Sequence, residues 1–126
     1  MSYDYYLFNT VEPMYTLSEF DHEKLTDFYD WETVKESIAT VIPDITWRDG
    51  EGSTYGTSPS VPGRFEIVIP YRLIEKNVGS SCGFFSVAGS FRTDQSEIVR
   101  QIARAIDFTV IDMQKNECLN KQSAFA

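Results

Sequence analysis

Residues 94–113, DQSEIVRQIARAIDFTVIDM, contain two different hydrophobic periods, and this change decides the fold class. In the first part, apolar residues recur every four positions, which places them on one face of a helix. They are Ile98, Ile102 and Ile106. Asp94 and Glu97 stand three residues apart just before this face, which predicts an N-cap and its partner at N3. The first part therefore predicts a helix with one buried stripe.

After Ala105 the period falls to two. Phe108, Val110 and Asp112 alternate with Thr109, Ile111 and Met113. The β-branched run 109–111 favours a strand, because branching at Cβ restricts the side chain in a helix. Val110 and Met113 also fit a continued helix, so residues 107–113 are predicted as a strand with a helix as the alternative.

A second helix is predicted upstream, in residues 31–42. Its apolar residues follow helical spacing and are Trp31, Val34, Ile38, Val41 and Ile42. Asp30 is placed as an N-cap, Glu32 favours the helix dipole from the first turn, and Pro43 ends the helix. A short helical turn beginning at Ser18 and continuing to about Phe28 is also compatible with the sequence.

The remaining strands are predicted from alternation and β-propensity. They are residues 2–8, 45–48, 64–72 and 83–91. Pro70 cannot donate to a ladder, which predicts that its strand lies at an edge or is bulged there. Residues 49–63 read as a loop or wide hairpin connection, and the end of the chain from about residue 116 reads as frayed.

The predicted order is strand, helix, three strands, helix, strand. Two amphipathic helices must each bury one stripe, which a mainly antiparallel sheet with both helices on one face allows. We therefore expect residues 1–126 to form a single α+β domain.

The net charge of -8 argues against partners that are themselves anionic. Nucleic acids and anionic membranes both attract basic surfaces, so neither is an expected partner. The N-terminal sequence has no basic region followed by a long apolar one, and no apolar run reaches the length of a membrane span. These features predict a cytoplasmic protein.

The acidic residues are concentrated in the first half of the sequence. Residues 1–60 contain twelve acidic and three basic side chains, a sum of -9, whereas residues 61–126 contain seven and eight, a sum of +1. Such asymmetry indicates a directed acidic face.

The densest acidic stretch is residues 18–32, SEFDHEKLTDFYDWE, in which aromatic residues separate the acids. Close like charges destabilise a fold, and a basic partner relieves their repulsion while aromatic rings supply contact area. The loop 49–60 is a further candidate, with Tyr55 at its tip. The predicted partner-binding residues are Glu19, Asp21, Glu23, Asp27, Tyr29, Asp30, Glu32, Asp49, Glu51 and Tyr55.

Motifs that suggest chemistry have simpler explanations. Residues 79–83, GSSCG, match the G-x-S-x-G pattern, but a strand is predicted after them where a nucleophile elbow requires a helix. The sole histidine, His22, has no converging partners, and the two cysteines, Cys82 and Cys118, are expected to be free thiols. Gly50, Gly52 and Gly56 are spaced wrongly for a dinucleotide loop. We therefore predict no catalytic residue, no cofactor and no metal.

Two segments, MSYDYYLF at the start and IARAIDFTVIDMQKNECL near the end, resemble small bacterial immunity proteins, which neutralise a cognate toxin. The shared features are the opening strand and a closing helix, followed by a strand carrying Val110-Ile111-Asp112 and a polar turn. The resemblance implies inhibition by binding and no catalysis, with a basic toxin as partner. Two alternatives remain open. One is an acidic phage or plasmid anti-defence inhibitor that mimics nucleic acid. The other is a small-ligand-binding protein or enzyme with loop 49–60 as a lid.

Overall fold

A computed structural model of the chain describes residues 2–9, 31–70 and 84–120. The helices are α1 (Trp31–Val41) and α2 (Ser96–Ile106). The strands are β1 (Tyr3–Phe8), β2 (Thr46–Asp49), β3 (Ser53–Thr57), β4 (Glu66–Pro70), β5 (Phe84–Gly89), β6 (Thr109–Asp112) and β7 (Glu117–Cys118). They form one seven-stranded sheet in the order β2-β3-β4-β5-β1-β6-β7, in which every neighbouring pair is antiparallel. The predicted α+β class is confirmed.

Both helices pack on the same face of the sheet. On that face Leu7 stands opposite Phe85 of β5 and Val110 of β6. These side chains share one buried cluster with residues of α1 and α2, and all three are fully buried. Because side chains alternate between the two faces of a sheet, every second residue of each strand points to this face. This is the period of two by which the strands were predicted from the sequence.

Helix α2 presents a face slightly different from the predicted one. Its buried residues are Val99, Ile102, Ala103 and Ile106, and Ile98 is only half-buried. The helix begins one residue later than expected, with Gln95 as the boundary residue, while the Asp94 carboxylate accepts a hydrogen bond from the backbone N–H of Ser96 at 2.9 Å.

Helix α2 ends at Ile106 and is followed by the C-cap residue Asp107, whose φ of 58° lies in the left-handed region. The N–H of Phe108 donates back to the carbonyl of Ala103 at 2.8 Å, which closes the last turn. The chain then leaves the helix as β6, so the prediction of a strand for this segment is confirmed.

The prediction of a loop for residues 49–63 is wrong, because β3 lies inside this range. Strand β3 pairs with β2 on one side and with β4 on the other. Its core-facing residues, Thr54 and Gly56, are too small to give a hydrophobic alternation. At Gly56 an added Cβ would lie 2.7 Å from the ring of Trp47, so glycine is required by the close approach of that ring.

Strand β4 is an inner strand between β3 and β5, which contradicts the edge position inferred from Pro70. Pro70 is the last residue of β4, so its missing N–H falls at the end of the ladder. Strand β7 lies inside the end predicted as frayed. There Cys118 pairs with Ile111, and Asn120 donates to the carbonyl of Phe108 at 2.6 Å and accepts from the N–H of Val110 at 3.1 Å.

Gln95 joins three parts of the fold at the start of α2, and its side chain is 3% exposed. Its amide Nε2 donates to the carbonyls of Pro62 at 2.8 Å and Arg64 at 2.9 Å. Its Oε1 accepts from the N–H of Ser90 at 3.0 Å. A Cβ at Gly89 would overlap this oxygen, so the glycine makes room for the amide.

The other face of the sheet carries a smaller buried cluster around Phe8 and Ile111. Tyr6, Met113 and Cys118 pack against it and are partly exposed. Neither α1 nor α2 has the length and apolar character needed to cross a membrane.

Candidate functional site

The predicted partner-binding residues fall into two groups in the structure. Most of the acidic stretch lies outside the described residues: Glu19, Asp21, Glu23, Asp27, Tyr29 and Asp30. The other four are described. Glu32 is exposed in the first turn of α1, Asp49 is exposed at the end of β2, and Glu51 is exposed in the turn that follows. Their role in binding stays a prediction.

All five acidic residues between positions 31 and 60 are exposed, namely Glu32, Glu36, Asp44, Asp49 and Glu51. Glu36, Asp49 and Glu51 form no ion pair with any described residue. Asp44 accepts hydrogen bonds from the hydroxyls of Ser58 and Ser60, and these two bonds lower the pKa of its carboxyl. Glu36, Asp49 and Glu51 therefore present negative charge to solvent without an ionic partner among the described residues.

Tyr55 does not sit at the tip of a lid. It lies in the middle of β3, half-buried, with Arg48 opposite it on β2 and Val68 opposite it on β4. The Arg48 guanidinium lies 5.9 Å from the ring centroid, a distance typical of a cation–π contact. The tight turn before β3 is closed by Gly52, whose φ is 75°. Strand pairing on both sides holds residues 53–57 in the sheet.

A cleft of about 320 Å³ opens elsewhere, between the start of β1, the start of α2 and the β6–β7 turn. Three separate segments line it: residues 3 and 5, residues 90–100, and residues 112–119. No residue of the segment 49–60 lines this cleft.

Asp112 forms one wall of the cleft and is 2% exposed. Its Oδ2 accepts from the Tyr3 hydroxyl at 2.5 Å. Its Oδ1 accepts from the backbone N–H groups of Gln114 at 3.0 Å and Lys115 at 3.1 Å, and from the Gln114 side chain at 3.2 Å. A buried carboxylate with four donors is well compensated, so Asp112 holds the turn in place.

The Gln114 side chain ties this turn to the first strand. Its Nε2 donates to the carbonyl of Asp4 at 2.9 Å, and its Oε1 accepts from the N–H of Asp4 at 2.7 Å. The first strand and the segment 109–114 are thus adjacent in the fold, where β1 pairs with β6.

Both tyrosines of the cleft are held in the neutral form. Burial raises the pKa of Tyr3 above its ordinary value, and the hydrogen bond to Asp112 raises it further. Burial also raises the pKa of Tyr5 to about 12, with smaller contributions from the charges of Asp112 and Asp94 and an opposing one from Arg100. Hydroxyls in this state are hydrogen-bond donors over the physiological range.

Asp94 lines the same cleft as the two tyrosines, near the start of α2. Its hydrogen bonds with Ser96 lower the pKa of its carboxyl, and the positive charges of Lys115 and Arg100 lower it further. Arg100 is partly engaged, because its Nε donates to the carbonyl of Leu119 at 3.0 Å and its Nη1 lies 3.6 Å from the Glu97 carboxylate.

Three charged side chains at the cleft have no ion pair or hydrogen bond with a described residue, namely those of Arg92, Lys115 and Glu117. The cleft also holds Phe91, which is 54% exposed and is the one large hydrophobic residue exposed among the described residues. Its ring meets that of Tyr3 edge-on, with centroids 5.2 Å apart.

Most of the motifs considered for catalysis lie outside the part of the chain that the structure describes. His22, Cys82 and the GSSCG segment lie outside the described residues. Cys118 is a free thiol, and its Sγ lies 3.5 Å from the Asn120 side-chain oxygen. Within residues 2–9, 31–70 and 84–120, no three His, Cys, Asp or Glu side chains are grouped so that they can hold a metal ion.

Sequence reasoning missed the cleft because its lining comes from distant parts of the chain. Tyr3 and Asp112 are 109 positions apart, and no local period connects them. No protein-family model, no curated protein and no solved structure matches this chain.

Proposed function

We propose that this chain is an immunity-type protein that binds and inhibits a cognate bacterial toxin through an acidic surface with aromatic residues. The observation that carries the proposal is the excess of negative charge in the first half of the sequence, where residues 1–60 sum to -9. In the described part of this half, Glu36, Asp49 and Glu51 are exposed and have no ionic partner among the described residues. A basic toxin surface supplies the missing counter-charges.

Aromatic contact area supports the same proposal. On the β2–β3 hairpin, the Tyr55 ring is half-buried and lies four positions after Glu51 and six after Asp49 in the sequence. Rings that are already held in place lose little entropy on binding, which is why aromatic residues are enriched at the energetic centres of interfaces. The resemblance of the two ends of the chain to immunity proteins points in the same direction.

The direct test is toxin neutralisation. The gene immediately upstream of the chain's own gene is expressed in a bacterial host with and without the chain. The proposal expects growth arrest by the upstream product alone and rescue on co-expression, with a stoichiometric complex on purification. A toxic product that the chain neither binds nor neutralises would rule out this function.

Charge reversal then tests the surface. The triple variant Glu36→Lys, Asp49→Lys, Glu51→Lys is expected to slow association with the toxin by about tenfold or more at low salt, because steering acts on the on-rate. High salt is expected to shrink the difference, since exposed charges are screened. Glu97→Lys, an equally exposed charge change in the second half of the sequence, is the matched control. Equal slowing by the triple variant and by this control would contradict an acidic recognition surface.

A further inference from the structure

The β2–β3 hairpin carries an arginine and a tyrosine side by side on the face of the sheet opposite to α1 and α2. Thr54 and Gly56 are buried and point to the core, so alternation directs Tyr55, which lies between them, to the opposite face. Arg48 stands opposite Tyr55 on β2, and Val68 stands opposite it on β4. These three side chains therefore form one row across the three strands.

The positive charge of Arg48 has no counter-charge within the described part of the chain. The side chain is exposed, and its guanidinium lies 5.9 Å from the centroid of the Tyr55 ring. No described carboxylate forms an ion pair with it. Asp49 is the next residue of the same strand, so alternation directs its side chain to the other face of the sheet. The ring positions the guanidinium while its N–H donors stay available to a group from outside the chain.

The position of this charge is unexpected for a surface that attracts a basic partner. Arg48 is the only basic residue in the segment 36–63, which contains Glu36, Asp44, Asp49 and Glu51. The acidic side chains attract a basic surface, whereas Arg48 repels it. Juxtaposed like charges are costly at an interface, so Arg48 is compatible with tight binding only if the partner places a negative group against it.

We propose that Arg48 is a specificity residue of the acidic surface, where it pairs with a carboxylate that the toxin presents within its otherwise basic contact area. This inference rests on the proposed function and defines the charge pattern of the partner, which is positive around one negative group. A planar guanidinium binds a carboxylate through two parallel hydrogen bonds, which also fixes the register of the complex. Contact with the Tyr55 ring restricts the guanidinium before binding, so less freedom is lost on pairing.

The variant Arg48→Glu distinguishes this ion pair from general electrostatic attraction. It makes the chain more acidic, so attraction alone predicts equal or tighter binding to a basic toxin. The proposal predicts the opposite, a dissociation rate that is higher by about tenfold or more, because two carboxylates then face each other. The experiment uses the full chain and the product of the gene immediately upstream, with surface-based kinetics recorded at low and high salt.

Two further variants control this experiment. Arg104→Glu makes the same charge change at an exposed position of α2, on the other side of the sheet, and is expected to leave the dissociation rate unchanged. Arg48→Gln removes the charge without adding a repulsive one, so it is expected to speed dissociation by less than the reversal does. It also keeps the test decisive if thermal melts show that the reversal disturbs the hairpin.

The outcomes separate this inference from the proposed function. If the wild-type chain binds and neutralises the upstream product, and both Arg48 variants dissociate no faster than wild type, the ion pair is refuted and the immunity function stands. Equal acceleration by Arg48→Glu and Arg104→Glu also refutes the ion pair. If the wild-type chain does not bind the upstream product, the proposed function fails, and this inference fails with it.

Discussion

Replacing Gln95 with methionine isolates the three hydrogen bonds that join the start of α2 to the rest of the fold. Methionine keeps the length and unbranched shape of glutamine but has no amide. The bonds to the carbonyls of Pro62 and Arg64 and from the N–H of Ser90 are then lost. Helix capping is unaffected, because the Gln95 side chain makes no capping bond and its backbone carbonyl still accepts from Val99.

The expected cost is about 3 kcal/mol, at about 1 kcal/mol for each hydrogen bond. Pro62 and Arg64 are exposed, so water reaches their carbonyls and the cost stays near this value. For a chain of 126 residues, the entropy of unfolding at Tm is about 0.26 kcal/mol per degree, which converts the loss to a fall in Tm of about 11 °C.

Denaturant unfolding and calorimetry measure this loss, with Gln101→Met as the matched control. Gln101 is an exposed glutamine on the same helix, and its one side-chain hydrogen bond with a described residue is a 3.4 Å bond to Glu97. The control is expected to change stability by no more than about 0.5 kcal/mol. If both variants lose the same small amount, the Gln95 bonds do not anchor the helix and the reasoning fails.

Three further predictions concern the packing and protonation of the fold. Gly89→Ala is expected to lower the free energy of unfolding, measured in denaturant, by about 1–3 kcal/mol, because the alanine Cβ displaces the Gln95 amide. In a Gln95→Ala background the same substitution is expected to lower it by less, and additive losses in the double variant would contradict this coupling. Asn120→Ala removes two hydrogen bonds to the backbone around β6 and is expected to cost about 2 kcal/mol, whereas an unchanged midpoint would mean that residues 117–120 are frayed. The folded pKa values of Tyr3 and Tyr5 are raised above the unfolded value of about 10. Below about pH 10 both tyrosines are protonated in the folded and the unfolded state, so their full contribution to stability is present. Above about pH 10 the unfolded state releases its protons first, so the free energy of unfolding falls as pH rises. Urea unfolding between about pH 9 and 12 is expected to show this fall, reduced in Tyr3→Phe; a variant that falls as steeply as wild type would disprove the contribution of Tyr3.

The sequence contained enough information to predict the elements that depend on local periodicity. In α1 and α2, apolar residues at helical spacing mark the buried stripe, because a helix returns to the same face every three to four residues. In β6, the change from period four to period two identified the strand immediately after a helix. Helices and half-buried strands produce these patterns wherever one face must be apolar.

Other features depend on which segments meet, and only the tertiary structure decided them. Strand β3 has small residues facing the core because the Trp47 ring from β2 fills the space above Gly56, and no pattern within β3 records the presence of that ring. The cleft is likewise assembled from residues that are far apart in the sequence, with Tyr5 and Asp112 paired across β1 and β6. Local sequence fixes the period of an element, whereas the shape and charge of a site depend on long-range pairing, in which each side chain's surroundings come from another part of the chain.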